Sequence, residues 1–381
     1  MSAFTIRGRV VTPDGVVEGG GVRIANGRIA SVERDGAAPA DVDLGTGWIV
    51  PGFVDVHVHG GGGHDFMDAA PEALEAITAF HGRHGTTSLL ATTMTAPKDA
   101  IDGVLRTAAQ YIENAPPRGA RLLGVHLEGP FISPKWPGAQ NPSHIVPPNL
   151  DWLRDWTSAY PGLVKQLTLA PETDGAIEFI RELRRLGIIA AAGHTDATYE
   201  QIVRAADNGL NQAVHTFNAM TPLRHREPGA AGAVLADDRI AAEVIADGVH
   251  VHPAVVKLLT RAKNDNNLLL ITDAMAAAGL GDGQYSLGGL DVTVEGGVAR
   301  LTEGGNLAGS TLTMIDAFRF VIRHAGLSVP EASRLASANA ARQLRLEGEI
   351  GAIRPGAAAD LVLLTPELEL AAVYRDGIPI A

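Results

Sequence analysis

Between residues 50 and 342, apolar runs of strand length alternate with amphipathic stretches of helix length. The first run, 50–59, is rich in β-branched residues, and similar runs follow at 86–93, 121–128, 164–170, 188–194, 211–217, 240–247 and 268–273. Many are apolar throughout instead of alternating, as strands buried on both faces of a parallel sheet are. The stretches 71–84, 175–186 and 197–208 between them are amphipathic at helical spacing. Pro71 and Pro253 suit the first turn of a helix. Two further helices are expected at 312–324 and 330–342. Eight strands with crossover helices predict an α/β fold, a (β/α)8 TIM-type barrel over residues 51–349.

The chain ends follow a different pattern. Short strands are expected at 5–11, 21–24 and 28–32, with Asn26-Gly27 as the hairpin turn between the last two. Two more are expected at 359–364 and 370–375. Neither end can bury a core alone, so residues 1–50 and 350–381 are expected to build one small β-sandwich together.

Composition narrows the function. Of 381 residues, 46% are hydrophobic and 19% charged, ordinary for a soluble enzyme. A net charge of -12 argues against nucleic acid or an anionic membrane as partner, but leaves room for an anionic small substrate in a local positive pocket. Residues 1–14 lack a signal-peptide core, and the longest apolar window, 268–280, is interrupted by Asp273. A cytoplasmic protein is expected. The absence of cysteine excludes disulfides, zinc ribbons and thiol nucleophiles, which leaves thirteen histidines as the main supply of metal ligands.

In a barrel of this kind the chemistry sits at the C-terminal ends of the strands. The first run ends in His57 and His59, which leave the same face of a strand, and Gly60 to Gly63 keep the space beyond them open. The third ends in Glu128, the fifth in His194, the sixth in His215 and the eighth in Asp273. Four imidazoles and two carboxylates therefore converge on one rim, whereas His126, His81, His84 and His324 are assigned to structure. Glu128, His194 and His215 form a metal set with a position left open for water. His57 and His59, with Asp273 as a further candidate, can hold a second ion bridged by Glu128. Lys165 lies at the start of its strand, the wrong end of the barrel. A bound divalent ion supplies hydroxide near neutral pH. Asp273 is then the best general base, able to pass a proton on to a leaving amine; a plain ligand role is the other reading, and both can hold at once.

The residues also carry a resemblance. Pro51-Gly52-Phe53-Val54-Asp55-Val56-His57-Val58-His59 resembles the first strand of the amidohydrolase superfamily. His126-Leu127-Glu128-Gly129-Pro130-Phe131, Gly193-His194-Thr195, His215-Thr216-Phe217-Asn218-Ala219-Met220 and Ile271-Thr272-Asp273-Ala274-Met275 are similar, more narrowly, to the N-acetylglucosamine-6-phosphate deacetylase family. So are Arg226-Glu227-Pro228-Gly229, Asp247-Gly248-Val249-His250 and Leu307-Ala308-Gly309-Ser310.

The resemblance implies deacetylation of a phosphorylated N-acetyl amino sugar in amino-sugar catabolism and cell-wall recycling. It implies one or two divalent metal ions per chain, zinc foremost with iron, manganese, cobalt or cadmium as alternatives, and a homodimer. It implies Glu128, His194 and His215 as the main metal site and Asp273 as acid/base. Asn218 and Ala219 would offer backbone donors near the phosphate, with Arg226, His250, Leu307, Ala308 and Gly309 in substrate-binding motifs. Some family members lack one or both histidines of the first strand and use a single metal; this chain has both. The loop that commonly reads Lys-Gly-Ala-His in the family is Pro137-Gly138-Ala139-Gln140 here, so Ala139 keeps its place while Gln140 replaces a histidine expected to touch the substrate carbonyl. Gln140 can donate a hydrogen bond but carries no charge. Two other readings stay in view: an amidohydrolase for a cyclic amide or nucleobase, which needs no phosphate site, and a binding protein on an inactive barrel.

Overall fold

The computed structural model describes residues 3–34, 39–114, 118–264 and 266–380. Eight parallel strands, paired in chain order, form the barrel: Phe53–Asp55, Thr86–Thr92, Arg121–Glu128, Val164–Leu169, Ile189–Ala192, Gln212–Ala213, Ala241–Ile245 and Leu268–Ile271. Backbone bonds from Asp273 N to His57 O and from His59 N to Ala274 O, both 2.8 Å, close the rim between the last strand and the first. The fully buried strands Thr86–Thr92 and Ala241–Ile245 explain the unbroken apolar runs, since both faces are covered.

The helices pack outside by the expected stripe. Ala176–Leu186 buries Ala176, Phe179, Ile180 and Leu183, spaced to share one face, and stops at Gly187 with φ 73°. Burying Phe179 alone contributes about 1.5–3 kcal/mol. Tyr199–Asn208 starts from a capping box between Thr198 and Gln201. The expected helix at 312–324 is Met314–Phe320 continued by a wider π-type turn, Val321–Ala325.

The small β domain comes from both chain ends. Its seven strands form a single hydrogen-bonded sheet in which Val42–Pro51 lies between Phe4–Thr12 and Leu361–Leu364. The sheet rolls on itself: the edge strand Arg28–Glu33 returns to the segment before Leu361–Leu364 through Ile29 N to Ala357 O, 2.9 Å, and Gly356 N to Ile29 O, 2.8 Å. Ile6, Val10, Val22, Ile29, Ile49 and Leu363 fill the roll. The Asn26-Gly27 turn has φ 52° and 76°, as its hairpin requires. Arg121, on the third barrel strand, ties the two parts together through Asp360 at 2.9 Å and Asp376 at 2.8 Å.

Two differences from the sequence expectation shape the site. The fifth, sixth and eighth strands end earlier than their apolar runs, because His194, His215 and Asp273 adopt left-handed backbone with φ 47°, 28° and 51°. Non-glycine residues in that region are strained, and such strain clusters at functional sites. A three-stranded antiparallel sheet at Gly283–Leu287, Leu290–Glu295 and Val298–Leu301, unanticipated from the sequence, packs beside the rim on Met94, Met275 and Ala308.

Candidate active site

Each ligand candidate is aimed by its own strand end. His57 and His59 share one face of the first strand, as their spacing requires, and both are buried. Asp55, two residues earlier, locks the first strand to the eighth by accepting from Thr272 Oγ1 at 2.6 Å and from His57 N at 3.2 Å. Burial pushes the Asp55 carboxyl up to about 7 against these bonds. The left-handed turns at His194, His215 and Asp273 swing those side chains inward.

Nε2 of all four histidines reaches Glu128, and His57 and His59 also reach Asp273. His194 and His215 stand 3.4 and 3.1 Å from Glu128 Oε1 and 3.2 Å from each other. His57 stands 3.3 Å from Glu128 Oε1, and His59 stands 3.3 Å from Glu128 Oε2 and 3.1 Å from Asp273 Oδ1. Two groups share Glu128: His57, His59 and Glu128, and Glu128, His194 and His215. A tetrahedral ion with bonds of about 2.0–2.1 Å has ligand edges of about 3.3 Å; the second group's edges are 3.1–3.4 Å. Buried His57 Nε2 makes no hydrogen bond, as fits an atom meant for a cation. The second group's donor set therefore fits a divalent ion, and the ligand atoms of His57, His59 and Glu128 lie within 4.8 Å of one another, close enough to share another.

Outer partners set the rings. His194 Nδ1 lies 3.0 Å from Trp136 O, and His57 Nδ1 lies 2.8 Å from Glu243 Oε2. The loop carrying Trp136 is held down by Trp136 Nε1 and Lys135 Nζ donating to Asp196, at 2.9 and 2.6 Å. Gly138 in that loop has φ 57°, and a Cβ there would stand 3.1 Å from the His194 ring. Gln140 lies in the site, but its Nε2 donates to Glu128 Oε2 at 2.6 Å while its Oε1 accepts from Thr95 N at 2.6 Å. Its amide is thus engaged with the shared carboxylate.

The electrostatics follow from crowding. Burial disfavours charge on Asp273, yet the neighbouring His57 charge and the His59 hydrogen bond outweigh it and bring the carboxyl down to about 2. Burial likewise opposes charge on Glu128, but His57 and His194 hold it well below the usual range. For His59 burial lowers and the bonds to Asp273 and Glu128 raise, with the balance at about 9. The metal-free protein therefore keeps His59 protonated at pH 7, whereas an ion needs it neutral. Zinc loading at pH 7 should release protons, and affinity should rise with pH until about 9. Titration calorimetry in buffers of different ionisation enthalpy checks this; a heat independent of buffer would contradict it.

The cluster opens into a cavity of about 390 Å³. His59, Glu128, His194, His215 and Asp273 form its floor, and Ala139, Gln140, Asn218 and Ala219 line it together with His250, Leu307 and Gly309. His57 lies behind, fully buried. Three expectations are modified. Arg226 is exposed and does not line the cavity. Ala308 packs into the core under the three-stranded sheet. The Asn218 N–H already bonds His215 O at 2.9 Å, because the sharp turn after the sixth strand folds back on itself. His250 lines the cavity with Nδ1 held 2.6 Å from Asp247 Oδ2.

Sequence reasoning passed over Lys135, Trp136, Met94, Leu287 and Asn306 in the wall, and Glu243, Gln166 and Gln212 beneath the floor. A usable signal existed only for the last three, which are polar residues inside runs that must be buried on both faces.

A parallel barrel whose rim gathers imidazoles and carboxylates around an open cavity has the build of a metal-dependent hydrolase. The model for the amidohydrolase family matches residues 48–379, and the chain belongs to that family. It is 41% identical to N-acetylglucosamine-6-phosphate deacetylase of Bacillus subtilis, covering 95% of this chain and 92% of the relative. It is 38% identical to N-acetylgalactosamine-6-phosphate deacetylase of Escherichia coli O157:H7, covering 97% of both. Among solved structures it resembles an N-acetyl-D-glucosamine-6-phosphate deacetylase variant from Mycobacterium smegmatis in complex with N-acetyl-D-glucosamine-6-phosphate. That match has TM-score 0.96 and 38% identity, and covers 100% of each chain.

Proposed function

We propose that the protein hydrolyses the acetamido group of N-acetyl-D-glucosamine 6-phosphate, giving D-glucosamine 6-phosphate and acetate. The carrying observation is the full-length agreement with a deacetylase in complex with that sugar phosphate. Glu128, His194 and His215 would hold the main ion, and His57 and His59 with Glu128 would hold a second. Imidazole-rich sets with carboxylates suit zinc. A bound ion supplies Lewis acidity, making hydroxide available near neutral pH and drawing charge from the carbonyl oxygen.

The chain's own groups do the rest. Met94, Leu287 and Leu307 give the cavity an apolar side against which the acetyl methyl can pack. Asp273 takes the proton of the attacking water as oxygen bonds to the carbonyl carbon. It then delivers that proton to the nitrogen as the C–N bond breaks, so the amine leaves neutral. Residues 1–50 and 350–381 form the companion β domain, and 51–349 the catalytic barrel.

A second reading is the galactosamine epimer, supported by the Escherichia coli relative. Acetate release from the two N-acetylhexosamine 6-phosphates separates them: the glucosamine substrate should show the higher kcat/KM, and the reverse order would reassign the enzyme.

Arg226 is exposed, lies in a stretch that resembles a substrate-binding motif of the family, and does not line its own chain's cavity. This supports a homodimer in which one copy presents Arg226 to its partner's substrate phosphate. Arg226→Ala should raise KM for the sugar phosphate by roughly 10- to 150-fold, the loss of a charge-assisted bond of about 1.5–3 kcal/mol. Mixing inactive Asp273→Asn chains with Arg226→Ala chains should restore one competent site per mixed dimer. No recovery on mixing would place Arg226 outside phosphate binding across the dimer.

A further inference from the structure

We propose that Glu243, on the seventh barrel strand, is the positioning residue of the second ion group: it holds His57 in the tautomer with Nδ1 protonated, so that Nε2 is left to bind a divalent cation. The inference rests on the reading that His57, His59 and Glu128 bind an ion.

Glu243 and His57 both have 0% exposure. Nδ1 of His57 lies 2.8 Å from Glu243 Oε2. The other carboxylate oxygen, Oε1, accepts from Gln166 Nε2 at 2.8 Å and from Gln212 Nε2 at 2.6 Å. Gln212 Nε2 also donates to Gln166 Oε1 at 2.8 Å, so the two amides fix each other's orientation and both present NH2 groups to Glu243. Both amides donate to Oε1, which is thereby an acceptor, and a carboxylate without a proton only accepts, so at Oε2 the imidazole is the donor. On the far side of the ring, His57 Nε2 lies 3.3 Å from Glu128 Oε1 and 3.5 Å from Asp273 Oδ1 and makes no hydrogen bond.

Among the described residues His57 is the only basic side chain paired with Glu243. A fully buried carboxylate with no lysine or arginine is costly, and an apolar barrel interior would need none. Its cost is explained if it aims a ligand. His59 lacks such a device: its Nδ1 is buried with no hydrogen-bond partner. The second group is thus built around His57. Carboxylates that accept from the outer nitrogen of a ligating histidine typically change metal affinity by about 10–100-fold.

Glu243→Gln tests this with almost no change of shape. If the new amide turns its NH2 to His57, Nδ1 must accept and Nε2 carries the proton, which removes the lone pair needed by the ion. If it turns the NH2 the other way, three amide donors face one another. Either way the second ion is weakened. Zinc titration of the chelated full-length chain, followed by elemental analysis, should give two ions for the wild type. In the variant the weaker ion's affinity should be reduced about 10–100-fold while the ion at Glu128, His194 and His215 is kept. Adding Glu243→Gln to His57→Ala should cost no further affinity for that ion, because Glu243 acts on it only through His57. A merely structural role would lower thermal stability and leave both ions in place.

A folded Glu243→Gln chain that binds two ions as tightly as the wild type would overturn the proposal. If the variant does not fold, nitrogen NMR of the zinc-loaded wild-type imidazoles decides instead. His57 protonated at Nδ1 is the expected result, and protonation at Nε2 overturns it. A wild type that holds one ion at saturation contradicts the two-ion reading itself, and so is distinguishable from failure at Glu243.

Discussion

Asp273→Asn is expected to slow acetate release by at least about a hundredfold while leaving substrate affinity and metal content nearly unchanged. The substitution keeps the shape of the side chain and removes its basicity. Asp273 follows the eighth barrel strand, turned inward by its left-handed backbone, with Oδ1 3.1 Å from His59 Nε2. It is on the cavity floor, where a water attacking an amide would lie. The uncatalysed step fails on the leaving group, because an amine must leave with a proton. Asparagine can neither take that proton nor return it. Pre-steady-state kinetics with metal analysis is the check. Near-normal turnover in a metal-loaded variant would reduce Asp273 to a neighbour of the ligands and turn attention to His250, which also faces the cavity.

Glu128→Gln should do more damage still, removing both ions and with them turnover. Glu128 is the one residue common to both ion groups, and its two oxygens meet all four imidazoles within 3.4 Å. Glutamine at this position leaves each group without its only shared anionic ligand, so both ions lose a ligand and a neutralising charge. His57→Ala combined with His59→Ala provides the contrast, since it should lose one ion and keep the other. Elemental analysis of the three proteins at saturating zinc separates the outcomes. A Glu128→Gln chain holding two ions would contradict the shared-ligand arrangement.

Much of this was legible in the sequence because barrel chemistry is tied to strand ends. Once 121–128 or 188–194 is read as a strand, Glu128 or His194 falls at the rim without further information. The strands end early at His194, His215 and Asp273 for a reason no propensity contains: the residues give up extended backbone to aim inward. Gln140 shows a different limit. Its capacity to donate was readable, but its partner, Glu128, depends on how a loop lies across the barrel. Lys135 and Trp136 enter the cavity wall because Asp196, some sixty positions on, anchors them. The sheet at 283–301 carried hairpin signals in Gly288-Gly289 and Gly296-Gly297, with Val292 and Val294 alternating inward between them. It was obscured by lying inside what reads as one long connection. Glu243, Gln166 and Gln212 were visible as polar residues in apolar runs, and weighing each for a buried partner would have found them.

Acetate release from N-acetyl-D-glucosamine 6-phosphate by the chelated protein, followed as zinc is returned to it, is the most direct measurement. The prediction is no turnover without ions, and activity that rises with the ions restored and levels off once both groups are filled. Full turnover by the metal-free chain, or no acetate from the zinc-loaded one, would contradict it.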